Sequence, residues 1–295
     1  MKRWAWTTDI HLNFLEVEGI EAFVREIISG GVDGLLIGGD IGEAPNVVLL
    51  LRFLEDRLQR PIYFVLGNHD FYRGSIAGVR REVSELAAGS PWLHYLSRCG
   101  PVELTAETAL IGHDGWADGR LGEFARSRVE LNDYWLIEEL RDLDAQARLR
   151  KLNELGDEAA GVLEGQLAEA LHSHQHAIVL THVPPFRGAC WHEGEISNDD
   201  YLPHFSCRAV GEVLFTNLTS KPVLAPVGTV VLTLGEPAAW FETTQAVEAP
   251  AGEDVDTGFH IWVMEGGGGF LVRGPQIAND LLGGQQKKYC HPSAG

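Results

Sequence analysis

The stretch Val65-Leu66-Gly67-Asn68-His69-Asp70 decides how this chain is read. It overlaps the apolar run Ile62-Tyr63-Phe64-Val65-Leu66, which reads as a buried β-strand. The strand breaks off at a glycine, and three polar groups able to bind a cation or move a proton follow at once. Open α/β sheets place their ligands at the carboxyl ends of strands. Asn68 offers a neutral carbonyl oxygen, and His69 an imidazole that serves a metal or a proton. Gly-Asn is also a common turn pair, so the stretch taken alone reads equally as a site or as a turn.

The preceding seventy residues repeat the pattern. Residues 3–8 read as a strand, followed by Asp9-Ile10-His11. In extended backbone a carboxylate and an imidazole two residues apart point the same way and can grip one ion. Residues 17–29 read as a helix, with Ile20, Phe23, Val24, Ile27 and Ile28 forming one apolar stripe that ends at Gly30-Gly31. A second strand, 33–37, stops at Gly38-Gly39-Asp40, and a second helix, 46–58, turns Val47, Leu50, Leu51 and Leu54 inward. This β-α-β-α-β order implies a parallel sheet with right-handed crossovers, so all the strand ends share one edge. Asp9, His11, Asp40, Asn68 and His69 then converge although they lie far apart in the chain. A turn explains any one of these strand ends; it does not easily explain all three.

Further on, residues 75–88 read as a helix, with short strands near 101–105 and 108–112. Ile111-Gly112-His113-Asp114-Gly115-Trp116 marks another strand end, where His113 is either a substrate or metal contact or a turn histidine. Residues 121–172 read as helices covering one side of the site, with Leu149, Leu152, Leu155, Val162, Leu163 and Leu167 at helical spacing. His172, His174 and His176 fit a solvated helix end better than a metal site. Ala177–His182 is an apolar strand ending in an imidazole, and Val183-Pro184-Pro185 stops it. The long loop from Phe186 to Phe205, with Cys190, Trp191, His192, Glu193, Asp199, Asp200 and His204, suits substrate binding, and 206–219 reads as a helix.

Composition narrows the chemistry. The 295 residues suffice for one large α/β domain or two small ones, and 45% of them are hydrophobic, enough for a substantial core. The net charge of −19 argues against sequence-independent nucleic-acid binding and against a cationic phosphate clamp, so phosphate chemistry here needs metal cations. Cys99, Cys190, Cys207 and Cys290 lie far apart with no CxxC pair and read as reduced thiols. No signal-peptide core and no bilayer-spanning run is apparent, so a cytoplasmic protein without membrane association is expected. The chain also lacks a Gly-x-Ser-x-Gly elbow, which disfavours a hydrolase with a covalent serine.

Asp9-x-His11, Gly39-Asp40, Gly67-Asn68-His69-Asp70 and His182, in this order and spacing, resemble the successive motifs of the calcineurin-like metallophosphoesterases. The resemblance covers residues 3 to about 219, and Thr181–Pro185 and Ile111–Gly115 look like bacterial members. It implies an α/β fold, a four-layer α/β/β/α sandwich with a helical insertion at about 121–172. It further implies two divalent metal ions, with Asp9 and His11 on the first, Asn68 and His182 on the second, and Asp40 bridging both. His69, assisted by Asp70, would act on the phosphoester. Such a pair of ions, about 3.5–4 Å apart, activates a hydroxide for in-line attack on phosphorus and absorbs charge on the phosphoryl oxygens. Mixed nitrogen and oxygen donors suit Mn, Fe, Zn or Co. The expected substrate is a small phosphoester or nucleotide, either monoester or diester.

The family's last motif, Gly-His-x-His, is missing. After Lys221 the histidines are His260 and His291, neither in that context, and the chain's one Gly-His pair, Gly112-His113, comes too early. The expected organisation is therefore a metallophosphoesterase domain over 1–220 and a divergent or frameshifted segment over 221–295 that partly completes the second sheet; within it Val223–Leu234 reads as a strand stretch. Without two imidazoles the site is expected to bind metal more weakly and to be impaired. The alternative from another functional class is a non-catalytic binding protein of the same fold that has lost its metals.

Overall fold

The computed structural model describes residues 3–192, 195–217, 223–227, 230–234, 241–242, 260–266 and 270–273. The expected tail 274–295, with His291, lies outside the described residues.

The first strands and helices alternate as expected: β1 (Arg3–Thr8), α1 (Val17–Ser29), β2 (Gly34–Ile37), α2 (Val47–Leu58), β3 (Ile62–Phe64) and α3 (Ile76–Ala88); a short β4 (Leu93–Tyr95), which the sequence did not suggest, comes next. There follow β5 (Val102–Thr105), β6 (Thr108–His113), α4 (Asp133–Leu136), α5 (Ala145–Ser173) and β7 (His176–Thr181). The remaining elements are β8 (Trp191–His192), β9 (Glu195–Ile196), α6 (Leu202–Phe205), α7 (Arg208–Asn217), β10 (Val223–Val227), β11 (Val230–Leu234), β12 (Phe241–Glu242), β13 (His260–Gly266) and β14 (Phe270–Arg273).

Among the described residues, one seven-stranded sheet runs β12-β14-β13-β1-β2-β3-β4 and one five-stranded sheet runs β11-β10-β7-β6-β5. β1, β2, β3 and β4 are parallel neighbours, and β6, β7 and β10 are parallel in the second sheet. β13 joins β1 antiparallel, with His260 opposite Thr8 in the register.

The layers follow from strand alternation, because successive side chains point to opposite faces. Trp4, Trp6, Leu36, Tyr63 and Val65 of the first sheet meet Leu110, Ile178 and Leu180 of the second in a core between the sheets. Ala5, Leu35, Ile37, Ile62 and Phe64 face outward, under the apolar stripes of α1, α2 and α3. On the far side, Ala109, Ile111, Ala177 and Val179 pack against α5 and α7. The four layers are thus α/β/β/α, and β1, β2, β3, β6 and β7 are buried on both faces.

Two expectations change. Ile28, placed in the stripe of α1, is exposed. Residues 121–144 are not helical apart from the single turn of α4, and α5 starts at Ala145, capped by the Asp144 carboxylate on Ala147 N at 2.8 Å. The backbone of that segment closes short local turns, such as Ser127 N to Glu123 O and Arg141 N to Ile137 O, and is tied to other loops by Glu123 N to Asp199 O and Glu138 N to Gly74 O.

Candidate metal centre

The parallel order β1-β2-β3 brings Asp9, Asp40 and the Asn68–His69 pair to one edge, and β7 brings His182 to the same place from the second sheet. The loops after β1 and β2 are locked together: Asp9 N donates to Gly39 O (3.1 Å), His11 N to Asp40 O (2.9 Å) and Leu12 N to Ile41 O (2.9 Å). The third loop joins through His69 N, which donates to Asp40 Oδ1 at 3.0 Å.

Contrary to the expectation from their spacing, Asp9 and His11 do not share a face of extended backbone. Asp9, His11 and Asp40 have φ of 52°, 38° and 52°, left-handed conformations that are strained for side-chain-bearing residues. This twist sends the two side chains to different donor groups. One group is His11, Asp40 and His69; the other is Asp9, Asp40 and His182, with ligand atoms within 4.8 Å of one another in each. Asp40 belongs to both.

Several features suit this donor set to divalent cations. His11 Nε2 lies 3.7 Å from Asp40 Oδ2, and His182 Nε2 lies 3.6 Å from Asp40 Oδ1. These separations are too long for hydrogen bonds, but two donors with bonds of about 2.1 Å each to one ion can span them. Imidazole and carboxylate together suit Mn, Fe, Zn or Co. His182 Nδ1 donates to Gly38 O at 2.9 Å, which turns Nε2 into the centre, where it lies 3.2 Å from Asn68 Oδ1. Two glycines keep the space open. A Cβ at Gly67 would stand 2.1 Å from Asp40 Oδ1, and one at Gly39 (φ +104°) 2.6 Å from Gly67 N and 2.8 Å from His182 Nδ1. His11 Nδ1 is buried with no hydrogen-bond partner among the described residues.

The charged groups of the centre act on one another. Burial opposes ionisation of Asp40, yet the imidazoles of His182, His69 and His11 hold its carboxyl below the ordinary value. Burial likewise disfavours a charged His182, but the carboxylates of Asp40 and Asp9 hold the imidazole up to about 9. His11 is lowered, mainly by burial.

Asp70 stands apart from its expected partnership with His69. Its Oδ1 accepts from Ile41 N (2.9 Å) and Gly42 N (2.8 Å), and its Oδ2 from Gly67 N (2.9 Å). The fully buried carboxylate thus ties the loop after β2 to the loop after β3, and among the described hydrogen bonds none runs to His69. Burial and the neighbouring Asp40 push it up to about 8, against the three N–H donors that favour its charged form.

His113 is 2% exposed and its Nδ1 accepts from Gly115 N at 3.1 Å, so it is the turn histidine and not part of either donor group. Asp114 beside it is the structural hub. Its Oδ1 accepts from Leu66 N and Ser97 Oγ, its Oδ2 from Arg80 Nε and Tyr95 Oη, and its carbonyl from His182 N. In the long loop, His204 is buried between Tyr134 Oη and Ser127 Oγ, which makes it a packing residue. Two residues that no sequence motif marked reach the centre's edge: Tyr72, whose ring stacks on His69 with centroids 4.3 Å apart, and Asp133, which binds the side chains of both Tyr72 and Asn68. Tyr72 could have been found as the i+4 neighbour of Asn68; for Asp133 the sequence carries no signal.

Residues 3–211 match the family model described as calcineurin-like phosphoesterase. Among solved structures, the chain is similar to the phosphopantetheinyl hydrolase PptH from Mycobacterium tuberculosis, with 14% identity, 82% of this chain and 85% of that chain covered, and a TM-score of 0.54. It is also similar to a dimetal phosphatase from Danio rerio, with 12% identity, 92% and 95% covered, and a TM-score of 0.50. At these identities the likeness is one of fold. No curated protein sequence matches the chain.

Proposed function

The chain belongs to the calcineurin-like phosphoesterase family, whose chemistry is metal-dependent phosphoester hydrolysis, and from that premise we propose that it is a phosphoester hydrolase working at two divalent cations around Asp40. The observation that carries this reading is the presence of the one Asp40 carboxylate in both donor groups. Asp9, His11, Asn68 and His182 would complete the ligand set. When bound, the cations supply charge for the phosphoryl oxygens and lower the pKa of a water.

The protein's own groups do the rest. Asp40 turns Oδ2 toward His11 and Oδ1 toward His182, so its carboxylate would be shared by the two sites. His182, held by Gly38 O, presents Nε2 to the centre. His69 stands in one donor group with His11 and Asp40, but we assign it to the ester and not to a cation: lying against the rings of His11 and Tyr72, it would donate a proton from an imidazole nitrogen to the leaving oxygen. Asp70 acts as a positioning residue: it holds the Ile41–Gly42 and Gly67 backbones at the distance the ligands need. The substrate we infer is a small phosphoester, monoester, diester or nucleotide, consistent with an acidic chain that offers no cationic clamp.

The test is hydrolysis of a generic phosphomonoester and a generic phosphodiester with added Mn²⁺, with Asp40→Asn as control and metal content measured in parallel. We expect Mn²⁺-dependent turnover in the wild type and a loss of about 10²-fold or more in Asp40→Asn, as for removal of one preorganised electrostatic group. Equal rates in the two proteins would defeat the assignment of Asp40. A wild type that takes up no metal and shows no turnover would instead favour a binding protein of the same fold.

A further inference from the structure

Asp133 is the first residue of α4, in a stretch that carries no motif, and its side chain is buried. Asp133 Oδ1 accepts from Asn68 Nδ2 at 2.9 Å and from Tyr72 Oη at 2.7 Å. Tyr72 in turn lies against His69, the two ring planes 28° apart. An asparagine amide has one end that donates and one that accepts. With Nδ2 bound to Asp133, Oδ1 of Asn68 faces His182 Nε2 at 3.2 Å, inside the centre. Turned over, the same amide would offer the centre an NH₂ group, which repels a cation.

We propose that Asp133 is a positioning residue that fixes the Asn68 amide so that its carbonyl oxygen is presented to a divalent cation, and that it steadies the His69 ring through Tyr72. This rests on reading Asn68 as a metal ligand. The helical turn that carries Asp133 is docked on the same loop: Arg73 N donates to Leu136 O at 2.8 Å and Glu138 N to Gly74 O at 3.0 Å. The acceptor therefore comes to Asn68 already placed. Both hydrogen bonds end on one oxygen, so what the site requires there is an acceptor at that position and not a negative charge.

The experiment is calorimetric titration of the full chain with Mn²⁺ alone. Asp133→Ala should weaken binding about 10- to 100-fold, the usual cost of losing a group that orients a ligand. Asp133→Asn, which keeps a carbonyl oxygen in place, should stay within a few-fold of wild type. In an Asn68→Ala background, Asp133→Ala should cause no further loss, whereas a purely structural role would add its own. Wild-type affinity in Asp133→Ala beside weakened Asn68→Ala would overturn the proposal and leave the ligand assignment standing. Wild-type affinity in Asn68→Ala would overturn the ligand assignment itself. Should Asp133→Ala fail to fold, Asp133→Glu displaces the carboxylate by one methylene and should weaken binding comparably; unchanged affinity there would equally overturn the proposal.

Discussion

At the residue scale, protons and the proposed cations would compete for the same donor atoms. Metal-free His182 is held up to about 9 by Asp40 and Asp9 against the cost of burial, so at pH 7 its Nε2 carries a proton that a cation must displace. Mn²⁺ binding should therefore release close to one proton from His182 at pH 7, and affinity should rise with pH toward about 9. Titration calorimetry in buffers of different ionisation heat measures this directly; a heat independent of buffer would contradict the role of His182. The sign for stability is opposite. The folded value lies above the ordinary 6.5, so this contribution is complete below pH 6.5 and is lost as pH rises through about 9. The thermal midpoint of the metal-free protein should fall across that window. Asp9, Asp40, Asn68 and His182 were legible as a converging set because each follows the end of an apolar strand. For Asp70 the sequence carried no sign of its hydrogen-bond partners, three backbone amides either distant in the chain or across the turn from it. Asp133 was invisible, since its meaning depends entirely on where α4 docks.

At the element scale, the β-α-β-α-β opening was readable from apolar stripes and glycine stops, and the observed bounds of β1 and α1 agree with the periodicity to the residue. What failed was residues 121–144, where leucines and charged residues at helical spacing belong to a loop of short turns anchored on Asp199 and Gly74. Propensity is a weak prior when tertiary partners take the hydrogen bonds. The three-residue β4 is too short to show alternation at all. The hinge between elements is Asp114 at the end of β6, which receives Arg80 of α3 at 2.9 Å, with both side chains buried. Arg80 also reaches Glu158 of α5 at 3.1 Å, so one guanidinium joins a helix of the first outer layer to one of the second. Removing one partner leaves a buried charge uncompensated, which costs about 3–5 kcal/mol. Arg80→Ala should lose stability of that order in urea unfolding, offset in part by the hydrogen bonds to Asp114 that remain from Tyr95, Ser97 and Leu66. A loss below about 1 kcal/mol, the range of an exposed ion pair, would show that Arg80 does not hold the layers together.

At the scale of the whole molecule, the centre lies where two sheets meet. Asp9, Asp40 and Asn68 come from the first sheet's edge and His182 from the second, so a cation held by both sets is a cross-link between halves of the core. The unfolded chain cannot reproduce that arrangement, because its ligands are spread over more than 170 residues of sequence. Binding to the folded state alone stabilises it by mass action. Mn²⁺ at about 100 times its dissociation constant should therefore raise the unfolding free energy by about 2.7 kcal/mol per independent site. Asp40→Asn, which strips the carboxylate common to both donor groups, should lose most of this shift, and a chelator should reverse it in the wild type. A site with fewer protein ligands per ion would need more Mn²⁺ for saturation, without a change in the sign of the shift. If Mn²⁺ stabilises Asp40→Asn as much as the wild type, the cation binds elsewhere, and the cross-link between the sheets is not the source of the stabilisation.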